Sequence, residues 1–568
     1  MSRLASKSRF LALFSCCFFA AAAFAVNAPS NLVATATSNS SITLTWTDNS
    51  PDEIGFTFMF DTNSAFTNPS YVWTGGANVT SYVHSGRSTA TTYYYRIKAE
   101  GSSDPLDSGW TTTASATTTP PAAEAISPRV FGINAWMPYQ IGAHIYYGSL
   151  DNHWNNIGAS GAKSMRYGGN GVDHYADPSW VDPNDANKST LKQYLALVNS
   201  MQAQGIEPIL QVPVYGTTYD ASDAAAIVQY VNVTHGENVK YWIIGNEPDL
   251  QGGGYGYTTA AQVASYFKPI ASAMKAVDPT IKIIGPETAW YNETIINGLT
   301  TCGGASDITG TDSNGRYYVD IISFHLYGFD GTQNHDDVVG NLMAAGGFND
   351  DLVQLKARIA NCNSYWNRTG TNALKMAVTE ANVNYTNSGT DSLTGAGAIS
   401  FVGGQWWAEA LGIAMKHGVD IMTFWSTIEG NQLGYISSDG TTKRPSWYHF
   451  QMTAQNFRGN AVTASDNQSV AKTFAAKASD QTAVLIMNQS KTTSFPYTVR
   501  LDIASIAGSS TLKVNVDAGL AVESSGTIST ESSLVLIFDA SGVLKKKIEY
   551  TRSNHAGPNL PPSVTTYP

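Results

Sequence analysis

Two glutamic acids, distant along the chain, end apolar runs in the same way. The run 241–244 stops at Gly245-Asn246-Glu247-Pro248, and the run 375–379 leads into Glu380. A short apolar run of this kind reads as a buried parallel strand, and the polar residues after it mark where the chain leaves the core. A carboxyl at such an exit has apolar walls behind it and water ahead, a setting that raises its pKa towards neutrality. Pro248 lacks a backbone donor, so it stops the strand and fixes the direction of the loop. Two such carboxylates form a candidate pair, one an acid and base, the other a nucleophile. A single Glu of this sort could be an exposed turn residue; finding the same design twice argues against that.

The elements around the pair must bring it together. Between about Ile126 and Gly459, strand-like and helix-like stretches alternate. Strand candidates are 130–134, 164–167, 208–212, 241–247, 281–287, 319–327, 376–380 and 421–426, with amphipathic helix candidates such as 190–204, 259–277, 350–366 and 396–417 between them. Eight such units predict a parallel sheet closed into a (β/α)8 TIM barrel. The competing open, doubly wound sheet would want a Gly-rich phosphate loop, and Gly168-Gly169-Asn170-Gly171 lacks that spacing. In this register Glu247 ends the fourth strand and Glu380 the seventh. Both then lie on the C-terminal rim, where barrel active sites are built.

Asn246-Glu247-Pro248 at a fourth strand with Glu380 at a seventh resembles the signature of clan A glycoside hydrolases. The resemblance implies retaining hydrolysis, with Glu247 as general acid/base, Glu380 as nucleophile and Asn246 on the sugar 2-hydroxyl. It implies supporting roles too. Arg166 would hold the nucleophile ionised, His325 would bind the sugar, Tyr327 would lie near the nucleophile, and Trp425 would form the platform under the sugar, with Trp136 a second aromatic of that kind. Glu287, a third strand-end carboxylate, reads as a substrate hydrogen-bonder or a partner of the other groups. Within the clan, Met165-Arg166-Tyr167-Gly168-Gly169-Asn170, Gly245 to Asp249 and Gly285-Pro286-Glu287 are most similar to family 44, which places Asn170 among the substrate-binding residues. This resemblance covers roughly 126–550 and implies endo-cleavage of β-1,4-glucans such as cellulose derivatives or xyloglucan. Families 39, 51, 30 and 79 are the alternatives within the clan. The rival from another class is a non-catalytic glycan-binding protein on a barrel scaffold, but such a protein would be expected to have lost one of the two glutamates. No metalloprotease-type His spacing supports metal-assisted hydrolysis, no cofactor is implied for the chemistry, and a structural calcium site is not legible.

The flanks complete the reading. Arg3, Lys7 and Arg9 precede an apolar run ending in Ala23-Phe24-Ala25, the pattern of a secretory signal peptide cut after Ala25. A lipid-anchor reading through Cys16 would leave an apolar segment at the mature N-terminus. Cleavage removes three basic residues from a chain of formal net charge −11, leaving about −14, which disfavours phosphate backbones as partners. The expected partner is a β-linked polysaccharide or oligosaccharide, with no nucleic acid and no membrane, and the chain is expected to act as a monomer. Cys302 and Cys362, the two cysteines left in an oxidising compartment, are expected to form a disulfide. Residues 27–118 alternate as short strands, and Trp46 with Tyr93-Tyr94-Tyr95-Arg96 resembles a fibronectin type III β-sandwich. Residues 119–125 read as a linker, 460–551 as a C-terminal antiparallel β-sandwich and 552–568 as a disordered tail.

Overall fold

A computed structural model describes residues 25–568 except 39, 75, 89–90, 103–105, 119–122, 136–149, 151–152, 171, 173–189, 215–219, 251–255, 387–390, 429–432 and 438. The signal-peptide reading and Trp136 therefore fall outside the described residues. The chain forms two compact units that divide at Ala122 and Ala123.

In the first unit, strands β1 (Ser30–Ala36), β2 (Ile42–Thr47), β3 (Gly55–Asp61), β4 (Ser70–Trp73), β5 (Ser81–His84), β6 (Thr92–Glu100) and β7 (Ala114–Thr117) form two sheets, ordered β1-β2-β5 and β4-β3-β6-β7. Alternation places Ile42, Leu44 and Trp46 from one sheet against Phe56, Phe58, Tyr95 and Ile97 from the other. The Tyr93 hydroxyl accepts the Ser88 N–H at 3.0 Å.

The second unit opens with β8 (Glu124–Ala125) and then closes a barrel. Its strands are β9 (Gly132–Ala135), β10 (Ser164–Tyr167), β11 (Glu207–Val212), β12 (Tyr241–Ile244), β13 (Lys282–Thr288), β14 (Ile321–Phe329), β15 (Lys375–Asn384) and β16 (Ile421–Phe424). All eight neighbouring pairs are parallel. Ile209, Ile243, Ile284, Ile321, Ala377 and Ile421 pack as one cluster, with every second strand residue aimed inward.

Helices α1 (Trp154–Ser160), α2 (Thr190–Ala203), α3 (Ala221–Val228), α4 (Ala260–Val277), α5 (Glu293–Leu299), α6 (His335–Val338), α7 (Phe348–Tyr365), α8 (Phe401–His417) and α9 (Pro445–Ala454) lie between and after the strands. The start of α4 is set by Thr259 and Gln262, each side chain accepting the other's backbone N–H. Cys302, just past α5, is bonded to Cys362 of α7 with their Cα atoms 5.5 Å apart.

Helix α8 is buried on every side from Phe401 to Met415, its polar Gln405 and Glu409 included. Trp407 stacks on Phe424 of the barrel at 4.2 Å, while Gln405 donates to the carbonyls of Asn488 and Ser532 in the sheet beyond. That sheet combines β17 (Asn460–Val462), β19 (Ala471–Lys477), β20 (Gln481–Asn488), β24 (Ser532–Asp539), β25 (Leu544–Thr551) and β26 (Ser563–Thr566), with β8 at its far edge. A second sheet of β18 (Ala464–Asp466), β21 (Phe495–Arg500), β22 (Leu512–Val516) and β23 (Glu523–Ile528) packs on it through Val484, Ile486, Val499, Val514 and Leu536.

Three expectations need correction. The linker 119–125 ends in a strand, since β8 pairs with β17. The C-terminal sandwich is not purely antiparallel, because β21 and β22 run parallel. The segment 552–568 is ordered: β26 pairs antiparallel with β25, satisfying an edge that composition alone could not reveal.

Candidate active site

The C-terminal ends of the barrel strands collect three carboxylates and two cations. Each carboxylate sits at a local irregularity. Gly245 and Glu247 both take positive φ, 75° and 44°, as the chain turns out of β12. Glu287 is the extra residue of a bulge in β13, with φ 62°: Pro286 pairs with Ser323 and Thr288 with Phe324. In β15, Phe324 pairs with Val378 and His325 with Glu380, leaving Thr379 as the extra residue. A bulge re-aims the side chains that follow it. Here Thr379 and Glu380, which strict alternation would send to opposite faces, both reach the same cluster.

Arg166, from β10, is the hub. Its Nη1 donates to Glu380 Oε1 at 2.7 Å and to Asn134 Oδ1 at 3.1 Å. Its Nη2 donates to Asn246 Oδ1 at 2.7 Å, Glu287 Oε2 at 3.1 Å and Gln211 Oε1 at 3.2 Å. Tyr327 donates its hydroxyl to the other oxygen of Glu380, at 2.8 Å. His325 places Nδ1 2.9 Å from Glu247 Oε1 and Nε2 3.3 Å from Glu287 Oε2. Asn246 Nδ2 donates to Asn170 Oδ1 at 2.8 Å, so Asn246 is held at both ends of its amide. The ring of Trp425 lies against Gly169, where an added Cβ would stand 3.1 Å from the indole and 3.6 Å from Glu380 Oε1.

Burial separates the residues that can meet a ligand from those that cannot. Arg166 and Glu287 are 0% exposed and His325 1%, whereas Glu380 and Glu247 retain 6% and 8%. Arg166, Glu287 and His325 are thus sealed behind the mouth: Arg166 lies on Glu380, Glu287 is a partner of the other groups and not a substrate hydrogen-bonder, and His325, expected to bind sugar, lies on Glu247. The structure also brings in residues that the sequence reading passed over. Gln211 accepts the Gly169 N–H at 2.7 Å as well as Arg166, Asn134 props Arg166, and Thr379 donates to Glu287 Oε1 at 2.7 Å. Their signal was a polar residue inside, or at the very end of, an apolar strand run. Asp249 ties the loops after β12 and β13 by accepting from Ala289 N and Asn292 Nδ2, both at 2.9 Å.

The electrostatics follow from these contacts. Burial pushes the Glu247 carboxyl up, against the downward pull of the His325 hydrogen bond. Burial works the same way on Glu287, but the Arg166 charge and the His325 hydrogen bond more than offset it and hold that carboxyl below its usual range. For His325, burial disfavours the cation, yet the charge of Glu380 and the hydrogen bonds to Glu247 and Glu287 raise it to about 10. Two cations among three carboxylates are balanced when one carboxylate keeps its proton, and the upward push singles out Glu247 for it.

One oxygen each of Glu247 and Glu380 and a nitrogen of His325 lie within 4.8 Å of one another, a spacing a cation could bridge. Arg166 already places its charge on Glu380, which disfavours a second cation at that oxygen.

No protein-family model matches the sequence, and no curated protein matches it. Solved structures do match in fold, and they are clan A glycoside hydrolases. An α-L-arabinofuranosidase from Thermotoga maritima in complex with arabinose aligns with TM-score 0.53 and 16% identity over 73% of this chain and 97% of that one. AbfB, a family 51 α-L-arabinofuranosidase from Bifidobacterium longum, gives 0.53 and 17% over 68% and 86%. A family 44 endoglucanase from Clostridium acetobutylicum gives 0.50 and 13% over 73% and 97%. At these identities the likeness establishes the architecture, a barrel with appended β-sheets, and the chemistry must be argued from the site itself.

Proposed function

We propose that the chain is a secreted, retaining glycoside hydrolase that cuts a β-linked polysaccharide, most consistent with an endo-β-1,4-glucanase or xyloglucanase. The observation that carries this is the pairing of Glu247 and Glu380, with oxygens within 4.8 Å across the barrel mouth. Retention needs carboxyls about 5–5.5 Å apart, while inversion needs roughly 6.5–9.5 Å to admit a water. In the first step a Glu380 oxygen bonds to the anomeric carbon, the bond to the leaving oxygen breaks, and that oxygen takes the Glu247 proton. In the second, water attacks the same carbon, its proton passes to Glu247, and the electron pair returns to Glu380. Arg166 and Tyr327 fix the two Glu380 oxygens so that the nucleophile needs no rearrangement to attack. Trp425 supplies an aromatic face beside it, and Asn246, held at both ends of its amide by Arg166 and Asn170, keeps Arg166 aimed at the nucleophile.

The disulfide and the signal-like N-terminal sequence support export. Among the described residues no helix is long and apolar enough to cross a membrane. The 1-2-5 and 4-3-6-7 strand orders of the first unit support the fibronectin type III reading.

The test is Glu380→Gln assayed on xyloglucan, carboxymethylcellulose, xylan, mannan and an aryl α-L-arabinofuranoside. Wild type should cleave a β-glucan with retention at the anomeric centre, seen by proton NMR. The variant should lose at least about a thousandfold in kcat while still binding. A variant that keeps its turnover would end the nucleophile assignment, and preference for the arabinofuranoside would move the substrate to side-chain removal.

A further inference from the structure

We propose that Glu287 is a positioning residue that fixes His325 as an imidazolium, so that one cation serves Glu247 and Glu380 in turn. The inference rests on reading the site as a retaining glycosidase and concerns how its charges are kept in place.

Nothing in Glu287 is left over for a substrate. Oε2 accepts from Arg166 Nη2 at 3.1 Å and faces His325 Nε2 at 3.3 Å, while Oε1 accepts from Thr379 at 2.7 Å. Its backbone N–H donates to Ser323 Oγ at 3.2 Å, and its carbonyl accepts the N–H of Glu247 at 2.9 Å. It touches neither reacting carboxylate with its own side chain. It reaches both through a cation: Arg166 leads to Glu380, and His325 leads to Glu247.

His325 stands between the two stations of negative charge. Its Nδ1 is 2.9 Å from Glu247 Oε1 and 3.7 Å from Glu380 Oε2. Before reaction the charge is on Glu380 and the proton on Glu247. When the Glu380–carbon bond forms and the leaving oxygen takes the proton, the charge vanishes from Glu380 and appears on Glu247. Attack by water reverses this. The total charge of the cluster is the same throughout, so a cation between the stations stabilises both states without being moved.

That works only if His325 keeps its Nδ1 proton. Handing it to Glu247 would quench the base that the water step needs. Glu287, whose charge never changes during the reaction, holds the opposite nitrogen in the protonated form. The charged groups facing the ring are Glu247 from the end of β12, Glu287 from β13, Glu380 from β15 and Arg166 from β10, with Asp249 farther off in the β12 loop. Of the anions within reach of the ring nitrogens, Glu287 is the one that takes no part in either step, and it lies behind the reacting pair.

The test is ring titration by NMR of the full chain labelled at histidine, with the His325 signal assigned by its loss in His325→Asn. In the wild type the ring should stay protonated beyond pH 9 and titrate at about 10. Glu287→Gln should lower that midpoint by at least about one unit, and Glu287→Asp, which keeps the charge, should restore most of it. In kinetics Glu287→Gln should lower kcat while KM stays within about twofold, as expected of a group that never meets the sugar. A wild-type His325 that titrates at or below its ordinary range overturns the proposal, whether or not the variants fold. So does a Gln variant whose midpoint is unmoved, or one that raises KM alone. The titration needs no turnover, so its failure is distinct from a failure of the glycosidase reading, which Glu380→Gln decides.

Discussion

Glu247 and Glu380 carry the same functional group and differ in what surrounds them. Glu380 accepts from a guanidinium and a phenol, one on each oxygen, while Glu247 is pushed up by burial beside an imidazole. An acid of this kind matters most when the leaving group is poor. Glu247→Ala should therefore lose about 10²–10⁴-fold on polysaccharide and far less on aryl glycosides whose leaving group needs no proton. Azide should restore turnover of the aryl substrate and yield a glycosyl azide of retained configuration, detectable by mass spectrometry and NMR. Because the acid form is required in the first step, wild-type kcat/KM should fall as pH rises through the Glu247 pKa, and this limb should be missing from the variant on aryl substrate. Absence of both the azide product and the change in profile would remove Glu247 from the acid role. These two residues were legible because each ends an apolar run with a carboxylate. The burial of Glu287 was not: a strand-end Glu looks the same in sequence whether a bulge turns it to the mouth or behind it.

At the scale of elements, the strands were legible within a few residues, since eight apolar runs separated by amphipathic stretches leave few other closures. The bulges at Glu287 and Thr379 were invisible because pairing register belongs to two strands at once. Helix α8 shows a related blind spot. Glu409 looks like a polar-face residue, yet it is fully buried between barrel and sheet, where its Oε2 accepts from Gln489 at 3.2 Å. Burial raises its carboxyl to about 7, only partly countered by Lys472 and Gln489 and reinforced by Asp466. The sign follows from linkage: the folded state holds the proton more tightly, so stability falls as pH rises from the ordinary Glu range to about 7 and is flat above it. Glu409→Gln keeps the acceptor for Gln489 and removes the buried charge. It should be more stable than wild type by about 3 kcal/mol above pH 7, the advantage shrinking as pH falls from about 7 and nearly gone once the ordinary Glu range is reached. Urea unfolding at pH 4.5 and pH 8 checks this, and an equal difference at both pH values would refute it.

For the whole molecule the question is what the first unit adds. Its core, built on Trp46, Phe56, Phe58 and Tyr95, is closed within its own two sheets. Every residue of the charge cluster, by contrast, comes from β9 to β15 or the turns after them, inside the second unit. The ends of that second unit are secured by pairing that composition did not foretell, with β8 and β26 at opposite edges of one seven-stranded sheet. A polar, proline-containing tail reads as disordered until an unpaired edge such as that of β25 is there to receive it. Because β8 begins at Glu124, a cut that spares it leaves the sheet intact. Removing residues 27–118 should then leave kcat/KM on a soluble glucan within about twofold and leave the thermal midpoint of the remainder unchanged, since no group of the site and no strand of its sheets is lost. Side-by-side kinetics and calorimetry of the full and shortened chains measure both. If soluble-substrate activity fell tenfold while the midpoint held, the first unit would be contributing to the site. If the midpoint fell as well, the two units would be energetically one.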